Sequence, residues 1–365
     1  MRKPKLAIVG TVGVPAIYGG FETLAEYILE DMVHHFEVTV FCEKKAYQGK
    51  HLPLYKGAQL KYISLKANGS QSILYDMVSI LKSFAKSDYI LILGVSGTVI
   101  LPLIKPFTKA RIITNIDGLE WQRDKWDKKA KTFLKWSEKL AVKYSDLVIS
   151  DNLHIQEYVT SEYQTSSLLI AYGGDHVTKE DKNLWMAKYT FLVERYAFTV
   201  CRIEPENNLD MIIKSYLNSG QLMPYIIVGN WQASDYGRQL IHKYRDEKKL
   251  RLMDPIYDQQ ELNVLRSNCA IYLHGHSAGG TNPSLVEAMF LGLPVIAFGV
   301  NYNRATTNYQ ALYFDSAEEL LQILNRVQEN DLIQVGQLLK EHAEKHYIWD
   351  NISKQYAKAI LSFKN

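Results

Sequence analysis

Short apolar runs alternate with longer segments of helical spacing along most of the chain. In the first half the runs are 6–10, 37–41, 61–65, 89–93, 111–115, 146–150 and 167–171. Runs this short and nearly continuous in Ile, Leu and Val suit strands buried on both faces, as parallel strands are. Between them, 21–35 and 72–86 repeat apolar positions at three- and four-residue spacing, which predicts helices. The charged segment 177–193 interrupts the alternation, which resumes with runs at 198–201, 225–229, 250–253, 270–273, 294–297 and 311–314. The order predicts an α/β protein of two Rossmann-like, doubly wound domains with right-handed crossovers, 1–176 and 177–349. Their strand ends, where ligands bind in such folds, are expected to face across a cleft.

The densest chemistry lies in 274–298, which reads as strand end, glycine turn, helix and strand. Gly279 and Gly280 let the backbone turn tightly and approach a ligand with no Cβ in the way. Asn282 before Pro283 fits an N-cap followed by proline at the first helical position, where its missing N–H costs nothing. The free amides there, around Gly280, Thr281 and Asn282, and the positive end of the helix dipole offer a phosphate site. Glu287, one turn in, is placed to accept hydrogen bonds from ligand hydroxyls. His274 and His276 share a strand face and act either on a ligand or as structural hydrogen-bonding groups. No acidic cluster or Asp-x-Asp pair accompanies them, so no metal is expected.

Residues 10–22 follow the first strand, and Gly19 and Gly20 open the next helix, so amides there are expected to reach a phosphate or an acceptor. The spacing is not the Gly-x-Gly-x-x-Gly of dinucleotide folds, which weakens a dehydrogenase reading.

The run 274–298 resembles the signature of the family 4 retaining glycosyltransferases of the GT-B fold, in which a glycine pair precedes a helix whose glutamate holds the nucleotide ribose. Residues 200–208 resemble that family's diphosphate motif, which makes Arg202 the expected partner of the donor phosphates; the alternative is a surface pair with Glu204 or Glu206. Residues 115–123 stand where the family usually has a histidine touching the donor sugar. Asp117 takes that place, either to stabilise an oxocarbenium-like transition state or orient the acceptor hydroxyl, or as a helix cap, with Glu120 a weaker candidate. Two departures are plain: Gly279 occupies the place of a first glutamate, and Asn207 that of a lysine. The order Gly-x-Pro-Ala-x-Tyr-Gly-Gly-Phe-Glu-Thr at 13–23 is similar to a narrower group, the bacterial β-1,4-rhamnosyltransferases of surface-polysaccharide assembly. The resemblance implies dTDP-β-L-rhamnose as donor, a hexose or N-acetylhexosamine on undecaprenyl diphosphate as acceptor, retention of configuration, and no cofactor or metal. It also implies that the terminal helix, 350–365, crosses back to the first domain.

Composition narrows the remaining classes. The net charge of +3 is too small, without a clustered basic face, to argue for nucleic acid. Three widely spaced cysteines fit neither a disulfide framework nor a zinc site, and no run approaches the roughly 20 apolar residues of a membrane span. A cytoplasmic protein is expected. Lysines at 125, 128, 129, 131, 135, 139 and 143, with Trp126, Phe133, Trp136 and Leu140, predict a basic amphipathic helix. That helix either lies on the inner face of the plasma membrane or packs with a solvated lysine face. Other functional readings are transfer from a UDP-hexose, a sugar-nucleotide epimerase, and a non-catalytic sugar-nucleotide-binding protein.

Overall fold

The computed structural model describes residues 2–17, 19–116, 118–123 and 126–364. The chain divides into two compact units, Met1–Tyr172 with Trp349–Asn365, and Gly173–Ile348. In chain order, the first contains β1 (Lys5–Val9), α1 (Gly20–His35), β2 (Glu37–Glu43), β3 (Leu54–Tyr55), β4 (Ala58–Ile63), α2 (Ser72–Ser83), β5 (Tyr89–Leu93), α3 (Leu101–Ile104), β6 (Arg111–Ile116), α4 (Lys128–Tyr144), β7 (Leu147–Ser150), α5 (Leu153–Tyr163) and β8 (Leu168–Leu169). The second contains β9 (Ala197–Val200), α6 (Leu209–Asn218), β10 (Tyr225–Val228), α7 (Asp235–Tyr244), β11 (Leu250–Met253), α8 (Gln259–Ser267), β12 (Ile271–His274), α9 (Pro283–Phe290), β13 (Val295–Phe298), α10 (Asn301–Thr306), β14 (Leu312–Phe314), α11 (Ala317–Arg326) and α12 (Glu329–His346). α13 (Trp349–Leu361) returns to the first unit.

The first sheet runs β3-β4-β2-β1-β5-β6-β7-β8, parallel except for the β3–β4 hairpin. The second runs β11-β10-β9-β12-β13-β14, parallel throughout. Strand β1 shows why continuous apolar runs settle in the middle of such a sheet. Leu6 and Ile8 enter one apolar cluster with Ile28 and Met32 of α1, while Ala7 and Val9 enter the opposite cluster with Tyr75 and Ile80 of α2. Both faces are covered, so both residue sets are apolar.

Near the edges the sequence reading needs correction. The strand expected at 61–65 is β4, at 58–63; there Leu60 and Ile63 are buried while Gln59 and Lys61 are exposed. This strand, second from the sheet edge and with one solvated face, alternates polar and apolar residues, so its longest apolar run misplaces it. The expected strand at 167–171 shrinks to the two residues of β8.

Helix α13 joins the first unit through its apolar stripe. Trp349 stacks on Tyr27 of α1 with ring centroids 4.7 Å apart, and Ile352, Tyr356 and Ile360 are fully buried beside α1. The Tyr356 hydroxyl accepts a hydrogen bond from Asn115 Nδ2 at 2.5 Å, tying the helix to the end of β6.

Each sheet reverses its direction of winding once, between β1 and β5 in the first unit and between β9 and β12 in the second. In open α/β sheets the crevice beyond the strand ends at such a point is where ligands sit. In the second unit it is bordered by the loops after Val200 and His274, the two loops that carry Arg202 and residues 275–282.

Candidate active site

The two loops of the second unit are stitched together by backbone and amide contacts. After β9, residues 201–208 curl into a short 3₁₀ turn over Pro205–Asn207. Asn207 Nδ2 donates to the Arg202 carbonyl at 2.7 Å, and Asn207 Oδ1 lies 3.1 Å from His276 Nδ1. Asn208, in the left-handed region at φ 51°, donates to the Gly275 carbonyl at 2.8 Å. Ser277 donates both its amide and its hydroxyl to the Glu206 carbonyl, at 2.8 and 2.9 Å. The approach at Gly275 is so close that a Cβ there would stand 2.0 Å from the Asn207 carbonyl oxygen, so only glycine serves.

This stitching leaves Arg202 side-chain nitrogens uncommitted. Its side chain is exposed and forms no ion pair with Glu204, Glu206 or any other described residue. Opposite it in sequence, Gly279 turns the backbone at φ 124°, and Asn282 caps α9 by accepting from the Ser284 amide at 3.0 Å, with Pro283 at the first helical position. Gly280 and Thr281 are buried in the turn before the cap.

His274 and His276 are brought together, their ring centroids 6.2 Å apart. Both are buried, and burial pushes the His274 ring down to about 4, so it is neutral at pH 7. Asn303 Nδ2 holds the His276 carbonyl at 2.8 Å, and the Tyr302 hydroxyl holds the Ser277 carbonyl at 2.6 Å, so α10 braces this loop from behind. Among the described residues no group of three or more His, Cys, Asp or Glu side chains is arranged to hold a metal ion.

Glu287 lies one turn into α9, and its carboxylate is gripped from two sides. Arg266 Nη1 stands 2.5 Å from Oε2, and His176 Nε2 stands 3.0 Å from Oε1. Burial acts to raise this carboxyl, yet the Arg266 guanidinium and the His176 ring outweigh it and hold the group below its usual range. Sequence reasoning missed both partners. The available signal was Arg266 itself, a cation within the apolar run Val264-Leu265-Arg266 of α8, where it is only 2% exposed.

In the first unit, Gly19 and Gly20 do open α1, and Gly19 has φ 140°. Two amides of the loop before that helix opening are already engaged by carboxylates of α1: the Val12 amide donates to Glu22 Oε1 at 3.0 Å and the Ala16 amide to Glu26 Oε2 at 2.6 Å. Asp117 lies outside the described residues. Glu120 is engaged locally, accepting from Trp126 Nε1 at 3.0 Å and pairing with Arg123 at 2.7 Å. A group absent from the sequence reading is Asp76 of α2, buried and hydrogen-bonded by the Ser96 hydroxyl just beyond β5, on the loop at that unit's own reversal point.

Helix α4 begins at Lys128, capped by Asp127, and Lys125 lies outside the described residues. The expected apolar face is corrected too: Trp126, Phe133 and Leu140 are partly buried, and Trp136 alone of the four is exposed. No helix among the described residues is long and apolar enough to cross a membrane.

Two parallel, doubly wound units of this topology make the GT-B fold. A sucrose-phosphate synthase of Thermosynechococcus elongatus superposes with a TM-score of 0.81 over 99% of both chains, at 15% identity. Anabaena HepE in complex with UDP and glucose gives 0.78 over 98% of this chain and 100% of that one, also at 15% identity. Residues 181–331 match the family described as Glycosyl transferases group 1, and residues 3–175 match a family described as a domain of unknown function, DUF1972. The first of these two matches lies within the second unit, and the second within residues of the first unit and the start of the second. Among curated proteins, the GtfA subunit of a UDP-N-acetylglucosamine–peptide N-acetylglucosaminyltransferase of Streptococcus agalactiae is 26% identical over 182 residues, 45% of this chain. The match spans only 34% of that relative's length.

Proposed function

We propose that the protein is a retaining glycosyltransferase that takes L-rhamnose from dTDP-β-L-rhamnose and adds it to a hexose or N-acetylhexosamine carried on a lipid diphosphate. The observation that supports the transferase reading is the winding reversal between β9 and β12 of the second unit, beyond which lie the loop carrying the exposed Arg202 and the capped turn into α9. A guanidinium and helix N-terminal amides are what a nucleoside diphosphate needs from a protein, with no metal required. Rhamnose as the sugar rests on the sequence at 13–23.

In the reaction, the bond between the anomeric carbon and the donor phosphate oxygen breaks while the acceptor hydroxyl oxygen bonds to that carbon on the same face. The hydroxyl proton passes to the departing phosphate oxygen, so the products are the nucleoside diphosphate and a glycoside of unchanged configuration. Arg202 and the α9 amides meet the charge that accumulates on the leaving group, an effect on the order of 3 kcal/mol for a well-placed donor. The first unit receives the acceptor, at the inner face of the cytoplasmic membrane.

A second reading, transfer from a UDP-sugar, is supported by HepE, described in complex with UDP-glucose, and by the name of the GtfA relative. One experiment separates the two. The purified protein is mixed with dTDP-rhamnose, UDP-glucose, UDP-galactose or UDP-N-acetylglucosamine, with and without a synthetic lipid-diphosphate sugar, and products are identified by mass and NMR. Acceptor-dependent β-rhamnosylation supports the first reading and transfer from a UDP-sugar the second. An altered free nucleotide sugar points to an epimerase, and binding without product overturns catalysis altogether.

A further inference from the structure

Burying a charged pair is costly: several kcal/mol per ion are lost to desolvation, and an apolar pair of similar volume is often as stable or more so. Arg266 is nevertheless 2% exposed and Glu287 13% exposed at the side chain, and they pair with each other. Their neighbours, Val264 and Leu265 beside Arg266, and Val286 and Ala288 beside Glu287, are completely buried apolar residues. The third member is delivered with equal care. Gly174 lies so close to α9 that a Cβ there would stand 2.7 Å from Val286 Cγ1, and its amide is held by the Tyr347 carbonyl at 2.8 Å. Farther along, Asn263 and Ser267 of α8 hold Thr178 and the Glu180 amide, at 3.1 and 3.2 Å. The strand of chain between these anchors sets His176 against the carboxylate.

We propose that Arg266 and His176 are positioning residues: together they fix the rotation of the Glu287 carboxylate so that its remaining lone pairs present one ordered acceptor edge to the ribose hydroxyls of a bound nucleoside diphosphate. Each carboxylate oxygen accepts more than one hydrogen bond, so a group held once on each oxygen still has acceptor capacity on the edge that stays open. Two opposed grips remove the torsional freedom that a lone glutamate would lose on binding, which is where preorganisation gains affinity. The inference rests on the nucleotide-sugar reading above.

The test is a calorimetric titration with two nucleotide pairs, UDP against 2′,3′-dideoxyuridine diphosphate and dTDP against its 3′-deoxy analogue. The wild type is expected to prefer the hydroxylated member of at least one pair by about 10- to 100-fold, the range for hydrogen bonds to a charged group. Arg266→Met should bind the hydroxylated nucleotide as weakly as the wild type binds the deoxy one, while affinity for the deoxy nucleotide stays unchanged. Arg266→Lys should restore part of the preference. His176→Phe, which leaves the buried cation in place, is the variant to read if Arg266→Met does not fold, and it too should lose the preference. A merely structural role for the triad would weaken both members of a pair alike. Full preference in a folded Arg266→Met or His176→Phe protein overturns the inference alone. A wild type that binds nucleoside diphosphates without distinguishing the deoxy forms overturns the ribose role of Glu287, and a wild type that binds none overturns the nucleotide-sugar reading as well.

Discussion

Asn207 Oδ1 lies 3.1 Å from His276 Nδ1, and through that contact the loop after β9 and the loop after β12 become one body. The same side chain holds the Arg202 carbonyl through its Nδ2. An amide does both jobs because it is donor and acceptor at once; an ammonium group has no acceptor to offer. The position at which the resembling family carries a lysine has here become a brace, which leaves Arg202 as the cation of this loop.

Replacing that brace should therefore cost both order and binding. Asn207→Leu removes the Asn207 contact at His276 Nδ1 and one of the two donors at the Arg202 carbonyl, the other being the Glu204 amide, at about 1–3 kcal/mol of stability. The same variant should bind nucleoside diphosphate about tenfold more weakly, because Arg202 is no longer held in register. Chemical denaturation and calorimetry check the two effects. Unchanged affinity in Asn207→Leu would mean that the two loops do not need each other.

Asp76 makes stability depend on pH. Burial raises its carboxyl to about 7, against which the Ser96 hydrogen bond acts only in part. The folded protein thus holds this proton more tightly than the unfolded chain does. The contribution is complete below the ordinary carboxylate pKa near 4 and is lost as pH rises through 7. Asp76→Asn keeps an acceptor for Ser96 and removes the charge. It should match the wild type near pH 4 and exceed it by as much as about 4 kcal/mol at pH 8. Urea denaturation of both proteins at the two pH values decides it, and a difference that does not change with pH would rule the mechanism out.

The central strands, the alternation of elements and the capped turn at Asn282 were legible because each is written in adjacent residues: four apolar positions in a row, or Asn before Pro. The pairing of Arg266 and His176 with Glu287 was not, because the three come from α8, from the start of the second unit and from α9, and only the packing of the parallel sheet brings them together. The carboxylates that close the 10–20 loop were hidden for a related reason. Glu22 reads as an ordinary first-turn acid of α1 and Glu26 as an acid one turn further on, and nothing in their spacing shows that Val12 and Ala16 fold back onto them. Beside the sheet edge, β4 was displaced because one solvated face replaced the continuous apolar run with alternation.

Removal of α13 should disable the first unit although the helix lies at the far end of the chain. Trp349, Ile352, Tyr356 and Ile360 are each less than 5% exposed, and truncating a buried side chain of this size costs about 2–5 kcal/mol. Several such losses exceed the net stability of an ordinary domain. A chain ending at residue 348 should yield a first unit that is aggregated or rapidly digested by protease, whereas Tyr356→Phe, which loses only the hydroxyl that Asn115 reaches, should cost about 1 kcal/mol. Limited proteolysis of the two variants distinguishes them. A truncated protein as resistant as the full chain would show that α13 only lies on the surface of a core complete without it.

The solvent face of α4 bears on where the protein works. Lys128, Lys129, Lys139 and Lys143 are exposed on it with Trp136, and no acidic side chain of the helix shares that face, since Glu138 is buried beneath the hydroxyls of Tyr158 and Tyr163. Lys135, on the flank, is taken up by Glu162 at 3.0 Å and by the Trp121 ring. A basic face with a tryptophan on it fits the surface of an anionic bilayer, where each lysine contributes about 1 kcal/mol. Reversing three charges, Lys129→Glu with Lys139→Glu and Lys143→Glu, should weaken sedimentation with phosphatidylglycerol vesicles by more than about 100-fold and leave nucleotide binding by the second unit unchanged. Raising the salt should weaken wild-type binding in the same direction. Trp136→Ala should have a smaller effect that persists at high salt, because its contribution is apolar. A wild-type protein that does not sediment with anionic vesicles at low salt would assign these lysines to solubility alone and remove the support that α4 gives to the proposed lipid-linked acceptor.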